Sequence, residues 1–149
     1  MKDRIRNDLK SAMKARDTAR LSTLRMILAE LQHKEKEKGL AVDDQTAVRI
    51  LQSMVRKRRE AAEQFEKGAR PDLAEKELAE IGVIESYLPE QLGDEALRAL
   101  VREAIAESGA QGMQQMGAVM KCCMPKVAGR SDGAAVSAVV RQELQKLQS

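Results

Sequence analysis

The apolar residues of this chain recur every three to four positions from end to end, and no stretch alternates strictly over six residues. The first spacing puts apolar side chains on one face of an α-helix, whereas a half-buried strand needs alternation. Glycine or proline interrupts the pattern at Gly39, Gly68, Pro89 and Gly109, where each would end a helix. The chain is therefore predicted to be all-α.

Seven helices follow from these interruptions and from the polar residues that can cap a helix start. They are predicted at about residues 2–15, 18–38, 44–67, 71–88, 94–108, 113–123 and 132–147. The break at residues 87–93 predicts two helical subdomains, a four-helix N-terminal unit over 1–90 and a small three-helix C-terminal unit over 91–149.

Several details of packing follow from the same pattern. Leu78 and Leu147 fall on apolar stripes and are expected to be buried. Gly82 weakens its helix by about 1 kcal/mol relative to Ala, so we expect close packing there. Asp94 is expected to cap the fifth helix, and Pro125 to lie just beyond the end of the sixth.

The composition limits the cellular setting. Only Phe65 and Tyr87 are aromatic, so aliphatic residues and eight Met must fill the core. No run approaches the roughly 20 apolar residues of a membrane span, and the first ten residues lack the apolar segment of a secretory signal. Because Cys122 and Cys123 are adjacent, they cannot join distant segments. We expect a soluble protein of a reducing cytoplasm.

No residue constellation predicts a self-sufficient active site. His33 is the only imidazole and lies in a lysine-rich run, so no Ser–His or Cys–His pair can form around it. The adjacent cysteines lack the spacing of a zinc site. We therefore predict no catalytic residue, no metal and no cofactor. A Ser–Lys arrangement stays open, although no motif supports one.

The basic front of the chain is the first of three charged features. Residues 1–38 hold eleven Lys and Arg against six Asp and Glu, whereas residues 71–90 hold one Lys against six acids. Lys10 and Lys14, and likewise Arg16 and Arg20, are four apart and are expected to share helix faces. Such rows can follow a phosphate backbone. The alternative is a solubilising surface that contacts the acidic fourth helix.

A cation on a buried stripe is the second feature. Arg58 points within about 20° of the centre of the apolar stripe of the third helix. A buried cation needs a partner, and we expect a structural ion pair between Arg58 and either Glu77 or Glu85. The alternative is that Arg58 lines a pocket for an acidic ligand.

The third feature is a set of cations around the last helix start, formed by Lys121, Lys126 and Arg130. Unpaired N–H groups at a helix start, with cations beside them, favour a phosphate. Asp132 argues against phosphate binding, because its carboxylate can cap the helix from within. Both interpretations stay open.

Taken together, five segments resemble the YqeY-like (GatB/YqeY) family of small bacterial proteins. They read LSTLRM at 21–26, KRRE at 57–60, QF, GAR and DL within 64–73, YLPEQL at 87–92, and MG, VM, MPK, GR, DG and V within 116–136. The resemblance spans residues 1 to about 147. Cys122 and Cys123 depart from it, since small or aliphatic residues are more usual there.

The resemblance implies a two-subdomain helical fold and kinship with the C-terminal tail of the GatB subunit of tRNA-dependent amidotransferase. In that enzyme the tail helps to hold tRNA while other parts perform the chemistry. The family carries a label of carbon–nitrogen ligase with glutamine as amido-N-donor, which no residue here supports independently.

Three hypotheses follow. The leading one is a tRNA-binding accessory protein of aminoacyl-tRNA metabolism, not catalytic alone, that contacts phosphates through Lys121, Lys126, Arg130 and the basic N-terminal helices. The second is a component of an amidotransferase-like enzyme, partnered by amidotransferase subunits or an aminoacyl-tRNA synthetase. The third is a protein-interaction adaptor that uses the methionines of the sixth helix as an adaptable apolar surface.

Overall fold

A computed structural model describes residues 1–148 and confirms the all-α prediction: this part of the chain holds seven α-helices and one 3₁₀ turn, and no strand. The helices are α1 (Lys2–Lys14), α2 (Thr18–Lys38), α3 (Asp44–Lys67), α4 (Pro71–Glu85), α5 (Asp94–Ser108), α6 (Met116–Val127) and α7 (Gly133–Gln148). The 3₁₀ turn, Met113–Gln115, leads directly into α6. None of the described helices is long and apolar enough to cross a membrane.

The chain divides into two compact units, the first Met1–Pro89 and the second beginning at Glu90. In the first unit, α2 packs against α1, α3 and α4, and α3 and α4 form a helical hairpin. Its core is built on fully buried Ile5, Leu24, Ile27, Leu51 and Ile84. In the second unit, α5, α6 and α7 pack against one another around a core of mostly β-branched side chains.

The helix ends follow the capping chemistry of the sequence. Asp17 accepts a hydrogen bond from the backbone N–H of Arg20 at the start of α2, and Asp43 accepts one from Thr46 at the start of α3. Gly39 and Gly109 end α2 and α5 in the left-handed conformation, which costs glycine nothing because it has no Cβ.

Four expectations about local packing are wrong. Leu78 and Leu147 are half-exposed, at 50% and 53%, because α4 and α7 bury narrower stripes than their apolar content suggests. A Cβ built on Gly82 would meet no atom within 4 Å, so no close contact explains that glycine. Asp94 makes no capping hydrogen bond: Gly93 occupies the cap position and Asp94 is the first residue of α5.

The end of α6 also differs from the expectation. Pro125 lies inside the helix, which continues to Val127. Proline removes one backbone donor but does not forbid another turn. The helix ends instead at Ala128 and Gly129, which both adopt left-handed conformations with φ of 50° and 77°. Three of the methionines in this region, Met113, Met116 and Met120, are partly buried against the core of the second unit. Met124 is 40% exposed, so the adaptor hypothesis keeps a smaller apolar surface than the sequence suggested.

Candidate nucleic-acid interface

Lys10 and Lys14 lie on the outer side of α1. Ile5 and Ala12 are the buried residues of this helix, and at 100° per residue both lysines point about 160° away from Ala12. Both are exposed, and neither ammonium group has a carboxylate partner among the described residues. The two cations therefore share one solvent-facing row, available to a polyanion.

Arg16 and Arg20 do not share a helix face, contrary to expectation. Arg16 lies in the link between α1 and α2, with a left-handed φ of 56°, so helical spacing does not apply to it. It is exposed and follows Lys14 by two residues in the sequence. Arg20 is half-buried and lines a shallow cavity of about 240 Å³ with Asp8 and Asp17. Those two acids make the cavity unsuitable for an anion.

Other cations at the front of the chain are occupied within the protein. Lys2 Nζ lies 2.5 Å from a carboxylate oxygen of Glu35, and this hydrogen bond, with another from the Val42 backbone, lowers the pKa of Glu35. The Arg4 guanidinium stacks 4.8 Å from the ring centre of Tyr87. Fewer of the cations in residues 1–38 are therefore free to bind a polyanion than the sequence suggested.

Arg58 makes a cross-hairpin ion pair, but its predicted partner is wrong. Its Nε donates to Oε2 of Glu80 at 3.0 Å, and both side chains are largely buried, with 15% and 17% exposed. Its Nη1 and Nη2 reach the Met54 carbonyl and the Met26 sulfur. All three guanidinium nitrogens of Arg58 thus have acceptors within the first unit. This argues against the alternative in which Arg58 lines a pocket for an acidic ligand.

The two residues predicted to pair with Arg58 have other surroundings. Glu85 pairs with the neighbouring Arg59, at 2.8 Å, and Glu77 forms no ion pair among residues 1–148. Arg58 and Arg59 are about 100° apart around α3, and their partners Glu80 and Glu85 are about 140° apart around α4. The sequence indicated the helix that supplies the partner but could not give the rotation of α4 about its axis.

Two of the three C-terminal cations are held inside the second unit. Lys126 Nζ contacts Glu103 at 3.1 Å and Glu107 at 2.8 Å, and hydrogen bonds to these two carboxylates raise the pKa of Lys126. Arg130 donates to the Val127 and Lys126 carbonyls, at 3.1 and 2.8 Å. It therefore caps the end of α6, where a cation also favours the helix dipole.

At the start of α7, the Asp132 carboxylate lies where the sequence predicted that it would oppose phosphate binding. Asp132 Oδ1 lies 3.5 Å from the backbone N of Ala134, within the first turn. The carboxylate thus occupies the position that an anion would take. Of the three predicted C-terminal cations, Lys121 alone is exposed with no side-chain partner in the described part of the chain.

A second basic cluster was missed by the sequence reasoning. Glu143 on α7 is 6% exposed, and its Oε1 is contacted by Arg98 at 3.4 Å, Arg102 at 3.2 Å and Lys146 at 3.6 Å. Burial acts to raise the pKa of Glu143, but the hydrogen bond and charge of Arg102, with the other cations, bring it below its usual value. The spacing Arg98–Arg102 was the one available signal in the sequence.

No group of three or more His, Cys, Asp and Glu side chains among residues 1–148 is arranged to hold a metal ion. His33 is exposed on α2. Cys123 is buried, and half-buried Cys122 donates its thiol to Glu107 at 3.3 Å. The hydrogen bond to that carboxylate, together with burial, raises the pKa of Cys122, which opposes formation of a nucleophilic thiolate.

Comparison with known proteins places this arrangement in a family. A model described as Yqey-like protein matches residues 2–144. The chain belongs to the Yqey-like family. It is 38% identical over 86 residues to an uncharacterized protein of Schizosaccharomyces pombe, across 58% of this chain and 70% of that protein.

Two further relatives of this Yqey-like chain are both named altered inheritance of mitochondria protein 41, mitochondrial. The one from Pyrenophora tritici-repentis is 30% identical over 130 residues, across 86% of this chain and 71% of its own length. The one from Lachancea thermotolerans is 34% identical over 85 residues, across 56% and 46% respectively. These names state a compartment for those fungal proteins and no biochemical activity.

Proposed function

We propose that this protein is a tRNA-binding accessory factor of aminoacyl-tRNA metabolism that performs no chemistry alone. The observation that carries the proposal is the exposed row of Lys10 and Lys14, followed by exposed Arg16 in the link to α2; none of the three side chains has an acidic partner within the described residues. Cations left unpaired can release counterions from a phosphate backbone, and that release drives nucleic-acid binding.

The proposed mode of binding is recognition of backbone charge and shape. Readers of single-stranded RNA stack bases on exposed aromatic rings. Here Tyr87 is buried and Phe65 is half-buried, and the chain has no other aromatic residue. Folded double-helical RNA, such as the arms of tRNA, suits this surface better than an extended strand.

The link to amidotransferase chemistry rests on the family resemblance, and we propose it as a partnership with amidotransferase subunits or an aminoacyl-tRNA synthetase. The competing proposal is a component of a glutamine-dependent carbon–nitrogen ligase that is active only in a complex. Affinity capture of the full chain would test both. Glutamine-dependent amidation by the purified chain, abolished by one point substitution, would overturn the non-catalytic proposal.

We propose the cytoplasm of a bacterium as the site of action. The fungal relatives with mitochondrial names belong to other cells and give the compartment of those proteins alone. Fractionation of the source cells with detection of the chain by antibody tests the proposal. Recovery of the protein in an organelle fraction would contradict the proposed cytoplasmic location.

A tRNA mobility-shift assay at two salt concentrations tests RNA binding directly. Wild type should bind, and its affinity should fall steeply between the lower and the higher salt. The triple substitution K10A/K14A/R16A should weaken binding and flatten the salt dependence. The control K57A/K67A/K76A removes three exposed lysines of α3 and α4 and should behave as wild type. Absent or salt-independent wild-type binding would reject the proposal.

A further inference from the structure

From the cluster around Glu143 we infer a second RNA-backbone contact on the outer face of α5 and α7, formed by Arg102 and Lys146 and positioned by Arg98 and Glu143. The inference rests on the proposed function, because it names a further surface for the same class of ligand. It differs from the sequence-based prediction, which placed the C-terminal contacts at Lys121, Lys126 and Arg130.

The first argument is that more cations surround the buried carboxylate of Glu143 than are required to compensate its charge. A buried charge requires a partner, and Arg98, which is 23% exposed, already supplies one to Glu143 while also pairing with Asp94. Arg102 and Lys146 add two more cations at the same carboxylate oxygen. The cluster therefore holds three cations against two acids, and its surplus lies on the side chains nearest solvent.

The second argument is accessibility. The side chains of Arg102 and Lys146 are each 62% exposed, although one nitrogen of each contacts Glu143. Lys126 contrasts with them, because two carboxylates hold it and its side chain is only 24% exposed. A phosphate could approach Arg102 and Lys146 without breaking their contacts to Glu143.

The third argument is preorganisation. Both cationic nitrogens lie within 3.6 Å of one oxygen atom of Glu143, so they are less than about 7 Å apart. Holding two long side chains in place lowers the entropy lost when a ligand binds. The guanidinium of Arg102 can also offer two parallel donors to one phosphate. Glu143 thus acts as a positioning residue for a phosphate contact.

Nearby acids leave this face open. Glu103 and Glu107 on α5 both contact Lys126, and lie about 100° or more around the helix from Arg102. Glu95 lies on the same stripe as Arg102, two turns nearer the start of α5, and so borders the surface without covering it. The polar neighbour Gln142 accepts a hydrogen bond from Arg98 and keeps this cation in place.

The test compares salt dependence of tRNA binding for the full-length variant R102Q/K146Q with that of wild type. Glutamine keeps a hydrogen-bond donor for Glu143 but removes both charges. The slope of log affinity against log salt should become shallower by about 1.8, as two contacts to the phosphates of a double helix are lost. The charge-matched control K67A/K76A should leave the slope unchanged, and Lys146→Arg should preserve it.

Two failures can be told apart. Wild type that binds no tRNA would reject the proposed function and this inference together. Wild type that binds, with R102Q/K146Q showing the wild-type slope, would reject this inference alone. Circular dichroism melting of each variant shows whether it is folded. If R102Q/K146Q is unfolded, Lys146→Gln alone is measured, and it should lower the slope by about half as much.

Discussion

The phenol of Tyr87 donates a hydrogen bond to the carboxylate of Asp8, 79 residues earlier in the chain. The contact joins α1 to the segment that follows α4, and the guanidinium of Arg4 lies over the same ring. Tyr87 is 4% exposed, so the hydroxyl group needs this partner. The first and last parts of the N-terminal unit are therefore tied together by polar contacts beside an apolar core, and Arg4 adds a hydrogen bond to the Ser86 carbonyl.

This contact predicts an unusual titration of Tyr87. Burial first, and then the hydrogen bond and charge of Asp8, raise its pKa from 10.0 to about 12. Because Tyr87 is the only tyrosine and the chain has no Trp, tyrosinate absorbance reports this group directly. The midpoint should lie near 12. Asp8→Asn should lower it while leaving it above 10, because burial remains. A midpoint of 10 in folded wild type would contradict the contact.

The sign of the stability change follows from the same pKa. A group whose folded pKa is raised contributes stability that is present below its unfolded pKa, near 10. That contribution is lost as pH rises toward 12, at a cost of up to about 3 kcal/mol. Tyr87→Phe removes the ionisable group, so its free energy of unfolding should fall less over this pH range. Urea titrations at pH 9 and 11 measure the difference.

The Arg58–Glu80 pair predicts which acid of α4 matters for stability. Glu80→Ala should lower the free energy of unfolding by about 1–3 kcal/mol, because it leaves a largely buried guanidinium without its carboxylate. Glu77→Ala removes a carboxylate with no ion pair and should change stability by less than about 0.5 kcal/mol. Urea denaturation compares the two variants. Equal losses would contradict the pairing.

Two glycines should respond to alanine in opposite directions. Gly82→Ala should raise the free energy of unfolding by about 0.5–1 kcal/mol, since alanine is a better helix former and the added methyl meets no atom. Gly109→Ala should lower it by about 1 kcal/mol, because φ is +69° there. Thermal melts followed by circular dichroism measure both. Destabilisation by Gly82→Ala would reveal a contact absent from this structure.

The contact between Cys122 and Glu107 predicts that the Cys122 thiol is alkylated slowly. The raised pKa of Cys122 keeps less of it as thiolate near neutral pH, so alkylation by iodoacetamide at pH 8 should be slower than for a free cysteine. Glu107→Gln removes the neighbouring charge and should accelerate it severalfold. Mass spectrometry of the modified peptide separates Cys122 from buried Cys123. Identical rates in the two proteins would argue against the hydrogen bond.

Local chemistry explains the features that were predicted well. The all-α class and the starts of α2 and α3 depend on groups within a few residues of each other, as where Asp17 accepts from the backbone N–H of Arg20 and Asp43 from that of Thr46. The errors arose where one helix meets another. Leu78 belongs to an apolar pattern, yet α4 turns it outward, and Glu80 rather than Glu77 or Glu85 faces Arg58. Helical periodicity predicts which face of a helix is apolar, but it does not predict which side chain of another helix lies against that face.

The amino-acid sequence by itself determined the helices, most of their ends and the excess of cations in residues 1–38, because propensity, capping and charge act over short distances. Only the tertiary structure decided which cations, in that region and in the rest of the chain, remain available. Lys126 is neutralised by Glu103 and Glu107, whereas Arg102 and Lys146 gather at Glu143. The reason is physical: an ion pair depends on the separation of two side chains in space, and that separation is set by helix packing.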